Sequence, residues 1–192
     1  HDAFNNLGLI SLRQGNNSDA VKYFESAVKL KPDFSLALCN LGLAYSNLKN
    51  IDKAFENFKK SHEANPSNYL AYYNIGNLKK RLGEIKTAED FLLKSIEIQK
   101  NYFPAYNNLL ELYDKSNQDD KLLKIINKAE IEFKDNDIIK LFKSKLLYKS
   151  KNFKEIINIL SKINFENDNL QEQTKQELLA KSYDQLKNFE KA

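Results

Sequence analysis

The sequence predicts an all-α fold: an α-solenoid of about five and a half helix–turn–helix repeats. Three observations predict it. The tripeptide Asn6-Leu7-Gly8 returns as Asn40-Leu41-Gly42, as Asn74-Ile75-Gly76 and, without its glycine, as Asn108-Leu109-Leu110, always at an interval of 34 residues. Within each interval, apolar residues recur three and four apart, the period of an amphipathic helix. Only three prolines and five glycines occur in 192 residues, so long loops are disfavoured and helices run uninterrupted.

Numbering each repeat from 1 to 34 places the elements in order. Residues 1–34 carry Phe4, Leu7 and Gly8 on a first helix and Ala20, Phe24 and Ala27 on a second. Residues 35–68 repeat this with Leu38, Leu41, Gly42 and Tyr45, then Ala54, Phe58 and Ser61. Residues 69–102 follow with Tyr72, Ile75 and Gly76, then Ala88, Leu92 and Ser95. Residues 103–136 have Tyr106, Leu109, Leu110 and Tyr113, then Leu122, Ile126 and Ala129. The small residues allow close helix crossing and the large ones fill the gaps between helices. Turn signals separate the helices at Gly15-Asn16-Asn17-Ser18, Asn50-Ile51-Asp52, Gly83-Glu84 and Ser116-Asn117-Gln118-Asp119. Pro32 and Pro66 end the second helices of their repeats, and Lys100 stands at the same place in the third.

Residues 137–172 keep a helix-pair pattern but put Lys140 and Lys143 where large apolar residues stood. The apolar face there runs through Ile138, Leu141, Phe142, Leu146 and Leu147, and the second helix is expected to carry Ile156, Leu160 and Ile163. A partial unit, 173–192, has Leu179, Ala180 and Tyr183 in place, with Asn188 to Ala192 read as the start of another helix. All 192 residues are thus expected to form one solenoid. The absence of Met and the start at His1 read as a piece of a longer protein.

Composition narrows the function. Thirty basic and 26 acidic residues give a mixed surface of net charge +4, too balanced to point to nucleic acid. The basic run Lys140, Lys143, Lys145, Lys149, Lys151, Lys154 and Lys162 reads as a solvated face. Cys39 is the single cysteine and the two histidines, His1 and His62, are far apart, so no metal site is expected. His62 is expected to be a solvated residue at a helix end, and Cys39 a small filler. Glu111 and Asp114 lie one turn apart on an open surface, where they are expected to be solvated or paired with Lys115. No nucleophile–base set or phosphate-binding loop occurs, so no catalytic residue and no cofactor is expected in this chain. No apolar run is long enough to span a membrane, and no membrane partner is expected. The cytoplasm is the expected compartment, and the oligomeric state is left open.

The 34-residue pattern resembles the tetratricopeptide repeat, closely in the first three repeats and less so beyond the fourth. The resemblance implies a right-handed superhelix whose first helices line a concave groove through repeat positions 2, 5, 6, 9, 12 and 13. It would place Asn6, Asn40, Asn74 and Asn108 in that groove, with Tyr73, Asn77, Lys80, Arg81 and Asn107 beside them. An amide offers one acceptor and two donors, enough to pair with a peptide unit. The four asparagines look like the ladder in the repeat domain of O-linked N-acetylglucosamine transferases, which grips peptides by their backbone; the ladder stops where Phe142 and Leu178 take its position. A carboxylate clamp of the kind used by chaperone-binding members does not fit, because its positions hold Asn5, Leu9, Asn40, Leu70 and Asn74. The expected function is a protein-interaction module holding an extended peptide or partner segment. The alternative is the substrate-recruiting region of a larger transferase whose catalytic domain lies elsewhere.

Overall fold

Every regular element is an α-helix in the computed structural model, which describes residues 1–166 and 168–189. In chain order they are α1 (Asp2–Arg13), α2 (Asn17–Leu30), α3 (Ser35–Asn47), α4 (Ile51–Ala64), α5 (Tyr69–Arg81), α6 (Ile85–Ile98), α7 (Phe103–Lys115), α8 (Asp119–Glu132), α9 (Asp137–Lys149), α10 (Phe153–Leu160) and α11 (Asn169–Phe189). The fold is an α-solenoid of helix–turn–helix repeats. The chain divides into two units, His1–Ala105 and the part from Tyr106 onward.

One backbone device makes each hairpin. The residue at repeat position 15 takes the left-handed conformation in five repeats: Gly15 (φ 78°), Lys49 (φ 61°), Gly83 (φ 79°), Asn117 (φ 52°) and Lys151 (φ 61°). The following N–H then reaches back to a carbonyl five residues earlier, as in Asn16 to Ser11 (2.9 Å), Asn50 to Tyr45 (2.9 Å) and Asn152 to Leu147 (3.0 Å). This Schellman arrangement satisfies carbonyls that the helix end would leave unpaired. Glycine serves it without strain, whereas the two lysines do so at a steric cost. At the other end, the residue at position 31 is extended, as in Lys31, Asn65 and Gln99. Pro32 and Pro66 enforce that geometry; Gln99 adopts it before Lys100 without a proline.

In the first unit the hairpins α1–α2, α3–α4 and α5–α6 close on the small residues the pattern marked. A Cβ on Gly8 would lie 2.5 Å from the Phe24 ring, one on Gly42 would lie 2.6 Å from Phe58, and one on Gly76 would lie 2.8 Å from Leu92. Serine at position 27 adds a buried bond across the hairpin. The Ser61 hydroxyl donates to the Ser35 carbonyl (2.7 Å) and that of Ser95 to the Tyr69 carbonyl (3.0 Å). The Asn68 amide also donates to the Ser35 hydroxyl (2.8 Å).

Successive hairpins pack α2 on α3 and α4 on α5. The first helices also touch in series, α1 to α3 and α3 to α5, while among the described residues no contact joins α2 to α4 or α4 to α6. Within this unit the first helices therefore lie on the inner side of a curved stack. Leu38, Leu41 and Ile75 are buried as the repeat requires. Phe4 and Leu7, expected to fill the same gaps, are instead 37% and 42% exposed.

In the second unit, α10 packs on α9 and α11 around Leu141, Ile156, Leu160 and Phe165. Two expectations fail here. The helix meant to carry Ile163 stops at Leu160, and Ile163 is buried from the loop that follows. The loop is latched by α11. Glu172 accepts from the Phe165 N–H (3.1 Å), and Lys175, which is buried, donates to the Ile163 carbonyl (3.1 Å) while pairing with Glu172 (2.6 Å). Helix α11 also runs unbroken through Phe189, so no turn separates a new helix at Asn188; the remainder of that expected helix, Glu190 to Ala192, lies outside the described residues.

Two outcomes follow from these devices. Lys49→Gly relieves the left-handed backbone and raises unfolding stability by about 1 kcal/mol, read from denaturant midpoints. Bonds from Lys175, Gln176 and the Phe165 N–H hold the Glu172 carboxyl down to about 2. A depressed carboxylate contributes stability above its unfolded value, near 4.3, and loses it as pH falls toward the folded value. Acid titrations followed by circular dichroism should therefore show the second unit loosening between about pH 4 and pH 2 in the native chain. In Glu172→Gln that pH-dependent part should be absent.

Candidate functional site

Of the asparagines at repeat position 6, Asn40 and Asn74 each reach back one repeat, from one first helix of the first unit to the one before it. Asn40 Nδ2 donates to Asn5 Oδ1 (2.9 Å), and Asn74 Nδ2 approaches Cys39 Sγ in the same relation (3.4 Å). Both are half-buried, whereas Asn6 is exposed. The amides thus serve first as links between neighbouring first helices. Each still presents a carbonyl oxygen and a second N–H.

Around them the surface is partly apolar. Tyr73 stands edge-on to Tyr102 (5.1 Å between ring centres), and Tyr69 meets the same ring at 4.9 Å. Burial pushes the Tyr102 hydroxyl well above the usual tyrosine range. Leu36 is 51% exposed and Leu43 37% exposed, with Leu9 and Leu70 half-buried against the core beneath. These leucines belong to the surface and were missed by reading only amides and charges. The signal lay in the sequence, because they occupy positions 2 and 9, which the resemblance assigns to the groove. Asn77 and Lys80 are half-buried nearby, and Arg81 Nη1 lies 3.4 Å from Ser46 Oγ.

In the second unit, Asn107 donates to Glu111 (3.2 Å), while its buried Oδ1 has no partner. Asn108 is 9% exposed, so little of it is open to a ligand. The lysine run is not a free solvated face. Lys145 pairs with Asp114 (2.8 Å), Lys149 with Asp119 (2.5 Å) and Lys143 with Glu130 (2.8 Å), tying α9 to α7 and α8. Asp114 therefore takes Lys145, a partner from the next repeat that the sequence reading did not name.

His62 is likewise no loose surface residue: its ring stacks on Tyr72 across the repeat boundary, 5.1 Å between centres. Cys39 is almost fully buried, and burial pushes its thiol up to about 11. Among the described residues no cluster of three or more His, Cys, Asp or Glu side chains could hold a metal ion, and no helix is long and apolar enough to cross a membrane.

A curved stack of helix hairpins with a polar and apolar inner face is the architecture of repeat proteins that bind other proteins. Family comparison agrees. Tetratricopeptide repeat models match residues 1–34, 35–68 and 69–102, and the chain belongs to the tetratricopeptide repeat family. No curated protein compared with the chain matches it. Among solved structures, MamA is similar at 19% identity and a TM-score of 0.65, over 96% of this chain and 97% of its own. The MamA RS-1 ArsTM double mutant has 17% identity and a TM-score of 0.66, covering 100% and 97% of the two chains. PilF of Pseudomonas aeruginosa reaches a TM-score of 0.75 at 17% identity, over 98% and 90%. At these identities the likeness concerns the fold.

The raised value for Cys39 has a direct readout. At pH 8 a thiol-reactive dye should label the native chain on the order of a hundredfold more slowly than the denatured chain, since two pKa units remove about that share of thiolate. Equal rates would show an accessible, ionised thiol.

Proposed function

We propose that the chain is a protein-interaction module that lays an extended segment of a partner across the inner face of α1, α3 and α5. The observation that supports this reading is the serial contact of the first helices α1, α3 and α5, which carry Asn6, Asn40 and Asn74 at one repeat position and exposed leucines on α3. Amides at regular spacing suit a backbone with regular spacing. Asn40 and Asn74 are already held by Asn5 and Cys39. A partner peptide unit bonding to the remaining amide atoms then loses little side-chain freedom on the protein side. Tyr73, Lys80 and Arg81 flank these amides and supply ring edges and charge. Asn107 and Asn108 belong to the second unit and enter the proposal only as an extension of the same motif.

The test uses a peptide selected from a display library against the whole chain. Substituting Asn40→Ala and Asn74→Ala together should weaken it roughly five- to thirtyfold, at about 1 kcal/mol for each bond lost. Lys60→Ala on α4 should leave the affinity unchanged. Equal affinity for the native chain and the double variant, with helical content intact, would remove the amides from the binding surface.

A further inference from the structure

Resting on that reading, we propose that the inner face of the first unit selects an acidic amphipathic segment. Its apolar side chains would seat on Leu36, Leu43 and Leu70, and its carboxylates would run past Arg13 and Arg81.

The argument begins with the order of residues along each first helix. Positions 2 and 9 are Leu36 and Leu43 on α3, with Leu70 at position 2 of α5 and Leu9 at position 9 of α1. Positions 12 and 13 close the helices with Arg13 on α1 and with Lys80 and Arg81 on α5. Four residues of helix separate position 9 from position 13, a rise of about 6 Å. The stack therefore turns single residues into two neighbouring bands, one apolar and one cationic, both crossing the helices. Leucines exposed on the inner side of a curved stack and rimmed by polar groups mark a contact surface.

The charge on that rim is one-sided. The acidic side chain at the groove positions of α1, α3 and α5 is Asp2, which lies at the opposite end of α1 beside His1 (3.3 Å). The nearby Glu84 is taken by Lys79 (2.9 Å). Among the described residues no carboxylate pairs with Arg13 or Arg81, and Arg81 reaches only the neutral Ser46 hydroxyl.

The second unit shows what the same geometry does when an acid is supplied. There Lys149, at position 13, pairs with Asp119, at position 17 of the preceding repeat. In the first unit Asn47 and Asn17 hold the same relation as a neutral bond (2.9 Å), and the place Arg81 would reach is Ile51. Arg81 thus lacks the internal acid that neutralises its counterpart Lys149, and an external carboxylate complements it.

The experiment measures fluorescence anisotropy of the full chain with labelled synthetic peptides of equal length: leucine–glutamate, leucine–glutamine, leucine–lysine and serine–glutamate. The leucine–glutamate peptide should bind at least tenfold more tightly than the other three, with an advantage that shrinks as salt is raised. Arg13→Glu with Arg81→Glu should abolish that advantage and leave leucine–glutamine binding in place. Leu36→Ser with Leu43→Ser should weaken the leucine–glutamate and leucine–glutamine peptides alike. Equal binding of the glutamate and glutamine peptides, or an advantage untouched by charge reversal, would overturn the proposal and leave the arginines as cations that merely suit helix C-termini. If all four peptides bind alike and all respond to Asn40→Ala with Asn74→Ala, the module survives and its acidic preference does not. If none responds to any inner-face substitution, both fall.

Discussion

The contact between repeat position 8 and repeat position 24 is the one on which the rest of the structure depends. At Gly8, Gly42 and Gly76 the first helix comes so near its partner that a methyl group would collide with Phe24, Phe58 or Leu92. That approach lets a large side chain on the second helix fill the hairpin completely. It also leaves the outer flanks of each hairpin apolar and unburied, so a hairpin is incomplete until another stacks on it. Burial of Leu38, Leu41 and Ile75 between hairpins is the result, and the exposure of Phe4 and Leu7 on α1 shows the same surface without its cover. In the fourth repeat Leu110 replaces the glycine and Ile126 holds the position of Phe24, Phe58 and Leu92; both are fully buried.

Stacking of this kind has a direction. Because the first helices touch one another and the second helices of the first unit do not, the inner face is a mosaic in which each hairpin contributes a strip. A surface built in strips repeats its chemistry at the spacing of the hairpins, and an extended chain repeats its own at fixed intervals. The polar side chains on the face are also used internally: Asn40 is tied to Asn5 and Asn74 to Cys39. Interhelical links and a binding surface are therefore made from the same amides. The two units treat charge differently on equivalent positions. In the second unit, lysines of α9 are spent on acids of α7 and α8, whereas among the described residues no carboxylate pairs with Arg13 or Arg81 of the first unit.

Much of the fold was legible in the sequence because its signals are local and periodic. The glycines, the alanines at position 20 and the residues at position 24 announce their roles by spacing alone. The left-handed turn was legible only where glycine or asparagine occupies it, at Gly15, Gly83 and Asn117. Lys49 and Lys151 adopt the same conformation because the hairpin they close demands it, against their own preference. Ile163 was misread as helical for a similar reason. It keeps helical spacing from Ile156 and Leu160, but Glu172 and Lys175 on the next helix capture the backbone of its loop instead. The surface was less legible than the fold. Asparagines drew attention by repetition, while Leu36 and Leu43, at groove positions 2 and 9, were passed over and are exposed in the structure.

The sequence by itself determined the hairpin, its length and its repetition, since these rest on helical period, turn chemistry and residue size within some 34 positions. Only the tertiary structure decided which side chains share a surface and which charges are spent. The basic run of the fifth repeat became a set of ion pairs because Asp114, Asp119 and Glu130 come from other helices. Among the described residues Arg81 stayed without a carboxylate because Ile51 stands at the corresponding partner position. Pairing depends on distance across the stack, and distance across the stack is set by how hairpins pack rather than by how far apart their residues lie along the chain.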